Sequence, residues 1–250
     1  VNTIKEIRSA QNPEVKWIRK LKRQRDSHFL VEGPKLLSQA VSVGMELETL
    51  WMADEHETAV RELGFKTSIR RVPASVYDSI SPTKVAQGPI GVFRRPERFV
   101  KSFEACTGRF LLLDHVQDPG NAGALIRAAA AFGLDGLVWF GDHPDLFHHA
   151  LIRGSAGTVF SLNHFEADLE ALEAGPPLLG TDATRGRELP AFKWPDSFLI
   201  CLGNEGHGLT PNIEGMCSDF VSIPISPNVE SLNVAGAAHV LLYSIKNPLP

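Results

Sequence analysis

The sequence predicts an α/β protein in two parts, a small mixed domain followed by a larger one built on a parallel sheet. Three observations carry that prediction. Short apolar runs alternate with amphipathic stretches over most of the chain, the runs grow longer and more apolar after residue 110, and a polar, weakly patterned stretch separates the two regimes.

In the first part, HFLVEG (28–33) reads as a strand, PKLLSQAVSVG (34–44) as a helix opened by Pro34 and closed by Gly44, and LETLWMA (47–53) as a strand. A helix near 55–63, a strand near 67–72, a short helix near 74–79 and the strand GPIGVF (88–93) continue the alternation. The stretch RRPERFVKSFEACTGR (94–109) holds the boundary, with a first domain over 1–97, a linker over 98–108 and a second domain over 109–250. Beyond it, strands are expected at 110–115, 137–140, 159–162, 178–181, 198–203 and 220–225, with helices near 122–132, 144–153, 167–174 and 233–245. Near-continuous apolar strands between helices imply a sheet covered on both faces, and ligands of such sheets bind beyond the carboxyl ends of the strands.

Composition narrows the class. Hydrophobic content of 43% and charged content of 22% suit a soluble globular chain. The first residues lack the apolar core of a secretory signal, and no window approaches the roughly 18 uncharged apolar residues of a membrane span. Cys106, Cys201 and Cys217 are an odd set without metal spacing, which suits a reducing, cytoplasmic setting. His143, His148 and His149 lie at a helix start with no cysteine nearby, and no metal site is expected. Residues 1–101 hold 18 Lys and Arg against 12 Asp and Glu, a net +6, whereas the remainder holds 7 against 17, a net −10. The densest basic run, KWIRKLKRQR, carries Lys16, Arg19, Lys20, Lys22, Arg23 and Arg25 around Trp17 and Ile18. It reads either as a solvated helix face or as a phosphate-binding patch for nucleic acid.

Three loops after strands have unusual polar content. In QDPGNAG (117–123), Asn121 stands where a helix cap is expected, and Arg127 follows about 9 Å further along the helix axis as the sole charge between Ala122 and Leu134. A guanidinium among small apolar residues must pair with an acid, reach water or meet a phosphate. In LGNEGHGL (202–209), Gly203, Gly206 and Gly208 make a bare turn around Glu205. Its spacing is neither the dinucleotide fingerprint nor a P-loop, which argues against a nicotinamide-dependent oxidoreductase or an ATP site. In IPISPNVESLNVAGAAHVLLYSI (223–245), Ser231 and Asn233 lead into a helix with a burying face of Val234, Ala238, Leu241, Leu242 and Ile245, and one of the two polar residues is expected to cap it.

Together, D-P-x-N-x-G-x-x-x-R, G-N-E-x-x-G-L and I-P…S-L-N-V resemble, in order and separation, the three motifs of the SpoU/TrmH family of RNA ribose 2′-O-methyltransferases. The likeness spans Leu111 to Ile245, with Ala235 where the family commonly has serine, and FLVEGPKLLSQAV resembles the L30e-like substrate-binding domain that many members carry in front. The resemblance implies a SPOUT catalytic domain with a C-terminal trefoil knot. It also implies S-adenosyl-L-methionine held near Thr181, Gly203, Ile223 and Leu232, and catalysis by Asn121, Arg127, Glu205, Ser231 and Asn233, with Arg127 or Glu205 as the base. It further implies a homodimer acting on structured RNA, ribosomal rather than transfer RNA. A chain of the same fold that binds RNA without turnover is the alternative.

Overall fold

The computed structural model describes residues 3–104 and 106–246, so the ends of the expected 1–97 and 109–250 domains lie outside the described residues. The chain forms two compact units. One comprises the chain up to Glu97 together with Asp145–Phe160, the other Arg98–Pro144 together with the chain from Ser161 onward.

The first unit is a five-stranded mixed sheet with helices. Its elements in chain order are β1 (Ile4–Glu6), α1 (Pro13–Leu21), β2 (His28–Glu32), α2 (Pro34–Ser42), β3 (Leu47–Met52), α3 (Glu57–Leu63), β4 (Ser68–Arg71), α4 (Ala74–Ile80) and β5 (Ile90–Arg94). The strand order is β1-β4-β3-β5-β2, with β1, β4 and β3 parallel and β5 antiparallel to both its neighbours. The basic run forms α1 and the turn after it. Pro13 occupies the first turn, the Asn12 side chain accepts from the Glu14 amide at 2.8 Å, and Val15, Ile18 and Leu21 at helical spacing bury one face. The charges therefore fall on the remaining faces.

Asp145–Phe160 departs from the expected helix at 144–153 and strand at 159–162. Only His149–Gly154 (α6 in chain order) is α-helical, and Thr158–Phe160 is a 3₁₀ turn. The reason is local packing that overrides the apolar pattern. Asp145 accepts from the Phe147 amide at 3.1 Å and from Arg95 Nη1 at 2.7 Å, while the Phe147 ring lies 4.4 Å from Phe29. Gly157, at φ +86°, comes so near Gln39 that a Cβ would lie 2.2 Å from its Oε1. Val159 and Phe160 are buried here without joining a sheet.

The second unit carries β6 (Lys101–Ser102), β7 (Arg109–Asp114), α5 (Pro119–Phe132), β8 (Gly136–Phe140), β9 (His164–Glu166), α7 (Leu169–Glu173), β10 (Leu178–Thr181), β11 (Arg187–Glu188), β12 (Phe198–Leu202), α8 (Pro211–Met216), β13 (Cys217–Ser222) and α9 (Val234–Lys246). The order is β11-β13-β10-β12-β7-β8-β9-β6, and every pairing is parallel. Part of the expected linker belongs to this sheet: β6 pairs with β9 at the edge and Phe103 is buried beside Phe110. The last strand is Cys217–Ser222 rather than 220–225, because its pairing with β10 begins at Cys217. Neighbours β7 and β12 are where the strand order changes direction, so the loops after them meet at one end of the sheet. The small residues of α5 let α9 pack closely on it.

His149 carries a consequence of the first unit's packing. Burial, then the charges of His148, Arg153 and Lys22, lower its pKa from the ordinary 6.5 to about 4. The unfolded chain then takes up this proton at a higher pH than the fold does, so stability declines as pH falls from about 6.5 toward 4. Denaturant titrations across that window are expected to show a shallower decline in His149→Gln than in the unaltered chain.

Candidate active site

The site begins with a carboxylate at the end of an apolar strand. Asp114, fully buried, hydrogen-bonds His115 Nδ1 at 2.8 Å through Oδ1 and accepts from the Thr210 amide at 2.6 Å through Oδ2. It thereby ties the loop after β7 to the one after β12. His115 has φ 54°, uncommon outside glycine, and its ring lies so close to Gly141 that a Cβ there would be 2.3 Å away. A second tie comes from Asn204, whose Nδ2 donates to the His115 carbonyl at 3.1 Å and whose Oδ1 accepts from the Gly206 amide at 2.9 Å.

Asp118, not Asn121, caps α5: its Oδ1 accepts from the Asn121 amide at 2.7 Å, and Pro119 opens the helix. The displacement frees the Asn121 side chain. Its Nδ2 donates to Glu205 Oε1 at 2.6 Å, and its Oδ1 accepts from Asn233 Nδ2 at 3.4 Å. Residues from all three loops are thus joined side chain to side chain. Asn233 also caps α9, accepting from the Ala235 amide at 3.0 Å, which settles the expected cap in its favour over Ser231. Ala235 contributes its backbone there, a contact that does not depend on its side chain.

Beside this chain of contacts is a cavity of about 570 Å³, within the range of cofactor sites. Thr181, Gly203, Glu205, Ile223, Ser231, Leu232 and Asn233, all singled out from the sequence, line it. Thr181 Oγ1 donates to the Cys201 carbonyl at 2.8 Å. Gly203 is needed by close approach: a Cβ would lie 2.1 Å from the Gly208 carbonyl, where Asn204 and Gly208 exchange backbone hydrogen bonds of 3.0 and 2.9 Å. Its bareness therefore closes the loop.

Sequence reasoning missed the acidic wall of the cavity. Asp182, Glu214 and Glu230 join Glu205 there. Burial works to raise the Asp182 carboxyl, but hydrogen bonds from Thr184 and Arg185 and the Arg185 charge outweigh it and hold Asp182 below the usual carboxylate range. Asp114 and Asn204 were missed as well, although an acid ending the run FLLLD and an amide inside a glycine turn were visible signals.

Arg127 is exposed, makes no ion pair among the described residues, and lies outside the cavity lining. In the basic run, Arg19 is engaged by Ser79 Oγ at 2.7 Å and the Ala10 carbonyl at 3.2 Å, and Lys20 pairs with Asp26 at 3.3 Å. Lys16, Lys22, Arg23 and Arg25 carry no such partner among the described residues. No described helix is long and apolar enough to cross a membrane.

Residues 108–243 match the model of the SpoU rRNA Methylase family. The chain belongs to that family. Residues 12–91 match an MRM3-like substrate binding domain, which covers most of the first unit's sheet. A Bacillus subtilis relative, the 23S rRNA (guanosine(2553)-2'-O)-methyltransferase RlmP, is 30% identical over 97% of this chain and 100% of its own length. The AdoMet-bound rRNA methyltransferase of Sinorhizobium meliloti superposes with a TM-score of 0.83 at 25% identity, over 99% of both chains. The SpoU methyltransferase AviRb of Streptomyces viridochromogenes, in complex with AdoMet, superposes at 0.77 with 28% identity, over 93% of this chain and 96% of that one. As in these SpoU proteins, the second unit has the α/β architecture of the SPOUT fold.

Gly203→Ala is expected to open the 203–209 turn, lower the melting temperature and abolish S-adenosyl-L-methionine binding, both measurable by thermal shift with and without cofactor. Gly206→Ala, whose added Cβ meets only Asn204 Oδ1 at 3.5 Å, is expected to keep both properties.

Proposed function

We propose that this SpoU-family protein is an S-adenosyl-L-methionine-dependent RNA ribose 2′-O-methyltransferase acting on ribosomal RNA. The observation that carries the reading is the Glu205–Asn121–Asn233 chain of side-chain contacts, whose Glu205 and Asn233 line a cavity rich in carboxylates. The relatives named above support ribosomal RNA as the substrate class and AdoMet as the donor.

The cavity suits that donor chemically. Arg185, also in the lining, pairs with Asp182 and Glu214, and the negative charge left over on Glu205 and Glu230 favours a ligand carrying a sulfonium and an ammonium, while Leu202, Ile223 and Leu241 offer an apolar wall to an adenine. In this reading Thr181, Gly203, Ile223 and Leu232 are the cofactor contacts. S-adenosyl-L-methionine, when bound, supplies an electrophilic methyl group and leaves as a neutral thioether.

A ribose hydroxyl is a poor nucleophile until its proton is drawn off. Glu205 suits the role of base: Asn121 holds Oε1, which leaves Oε2 to accept the proton of the ribose hydroxyl as that oxygen would take the methyl group. Ser231 and Asn233 orient the hydroxyl. Arg127, exposed and without an internal acid, receives the phosphate beside the target ribose, which accounts for a guanidinium on a helix of small residues. The trefoil threading of the second unit belongs to the same reading, as does a homodimer in the cytoplasm. The homodimer is supported by Val240 and Tyr243, 42% and 54% exposed on α9. The basic residues after α1 grip RNA through its backbone.

Labelled-methyl transfer to 23S rRNA, 16S rRNA and tRNA tests the activity and separates the substrates, and incorporation into none of them refutes it. Arg127→Ala is expected to reduce methyl transfer at least a hundredfold, with calorimetric cofactor affinity and melting temperature unchanged. A large fall in stability with retained turnover would instead identify Arg127 as a structural residue.

A further inference from the structure

Arg185 is the one arginine or lysine among the described residues that line the cavity of about 570 Å³. It is held from three directions. Its Nε lies 3.0 Å from Asp182 Oδ2, its Nη2 pairs with Glu214 Oε1 on α8, and its guanidinium carbon lies 3.9 Å from the centre of the Phe220 ring on β13. The loop that carries it is fixed as well. Asp182 Oδ1 accepts from the Thr184 amide at 2.8 Å, from Thr184 Oγ1 at 2.9 Å and from the Arg185 amide at 3.1 Å. Gly186, at φ +96°, passes so near β13 that a Cβ would lie 2.4 Å from the Phe220 carbonyl oxygen. An arginine on a surface loop ordinarily gives up side-chain freedom when it binds a ligand, and one stacked on a ring and tied at Nε has already given it up.

Two groups of this array stay open. Arg185 Nη1 donates to nothing among the described residues, and Glu214 Oε2 accepts nothing there. Asp182, by contrast, is saturated by its own loop. The open donor and the open carboxylate oxygen belong to one ion pair, so the cavity wall presents a positive and a negative point side by side. An amino-acid zwitterion carries the opposite pattern: its carboxylate meets the guanidinium, its ammonium meets the glutamate, and the resident pair stays whole. A ligand end with only an ammonium would gain Glu214 but face Arg185 at close range, and a neutral end would gain neither. The methyl donor ends in such a zwitterion, and its sulfonium has Glu205 and Glu230 as counter-charge in the same lining.

We propose that the Arg185–Glu214 pair is the subsite for the amino-acid end of S-adenosyl-L-methionine, and that Arg185 thereby sets the preference for the complete donor over molecules lacking its carboxylate. The inference rests on S-adenosyl-L-methionine being the donor. It adds two residues of opposite charge to the cofactor contacts at Thr181, Gly203, Ile223 and Leu232. Asp182 and Phe220 are positioning residues in it, since they aim the guanidinium.

The test is calorimetric binding to the full chain of S-adenosyl-L-methionine and of its decarboxylated form, which keeps the adenosine, the sulfonium and the ammonium. The unaltered chain is expected to bind the complete donor about tenfold or more tightly, as one charge-assisted contact predicts. Equal affinities would overturn the subsite, and this comparison needs no substitution. In Arg185→Met, whose stem still covers Phe220, affinity for the complete donor is expected to fall about tenfold or more, and that for the decarboxylated form to stay within about twofold. Equal losses for both ligands would make Arg185 a support of the 182–187 loop and overturn the subsite; melting curves check that the variants fold. Glu214→Gln is expected to weaken the decarboxylated ligand, whose ammonium then faces an unpaired guanidinium, and unchanged affinity for it would overturn the pairing. Methyl transfer to ribosomal RNA together with equal affinity for the two ligands would sink the subsite and leave the proposed function standing. A preference for the complete donor that Arg185→Met abolishes, with no RNA methylated by the unaltered chain, would do the reverse.

Discussion

The candidate site depends on one buried carboxylate. Asp114 ends an apolar strand with no exposed surface, and a charge so placed is tolerated only when each oxygen has a donor. One oxygen meets the His115 ring and the other the Thr210 amide, so the loops after neighbouring strands are held in one arrangement. Asn204 repeats the constraint from the other side by reaching the His115 carbonyl. The contact between Asn121 and Glu205, 84 residues apart, is possible because this framework sets where both loops begin.

The framework also explains why the groups proposed to react are exposed while their supports are not. Glu205, Ser231, Asn233 and Arg127 are open to solvent, whereas Asp114, Val234, Ala235 and the apolar face of α5 are buried. An RNA substrate is large and must be met at a surface, so the chemistry needs groups that are both reachable and oriented. Rigid backing supplies the orientation at little entropic cost on binding. The division of charge follows the same line, because the cavity lining on the second unit is predominantly acidic while the densest basic run lies on the first.

The first unit shows how a short stretch can be captured by a different core from that of its sequence neighbours. Arg95 with Asp145, and Phe29 with Phe147 and Phe160, draw residues 145–160 into it. That capture brings Arg153 and His149 beside Lys22 and Lys35, a grouping of cations from three separate parts of the chain.

Much of this was legible beforehand. The apolar runs at 110–115 and 198–203, the helix stop at Gly44 and the three polar loops identified the parallel sheet, its family and part of the cavity lining. What periodicity could not supply was any fact that depends on a partner far away in sequence. The run at 159–162 is as apolar as a strand, yet Gly157 against Gln39 and Phe160 against Phe29 bend it into a turn. Asn121 looks like a cap, yet Asp118 takes that role and releases the amide toward Glu205. Residue type and spacing determined which groups this protein has for handling a phosphate, a hydroxyl and a cationic ligand. Only tertiary structure decided which of them face one another, because hydrogen-bond partners and burial are set by strand order and loop closure, and neither is encoded in a local pattern.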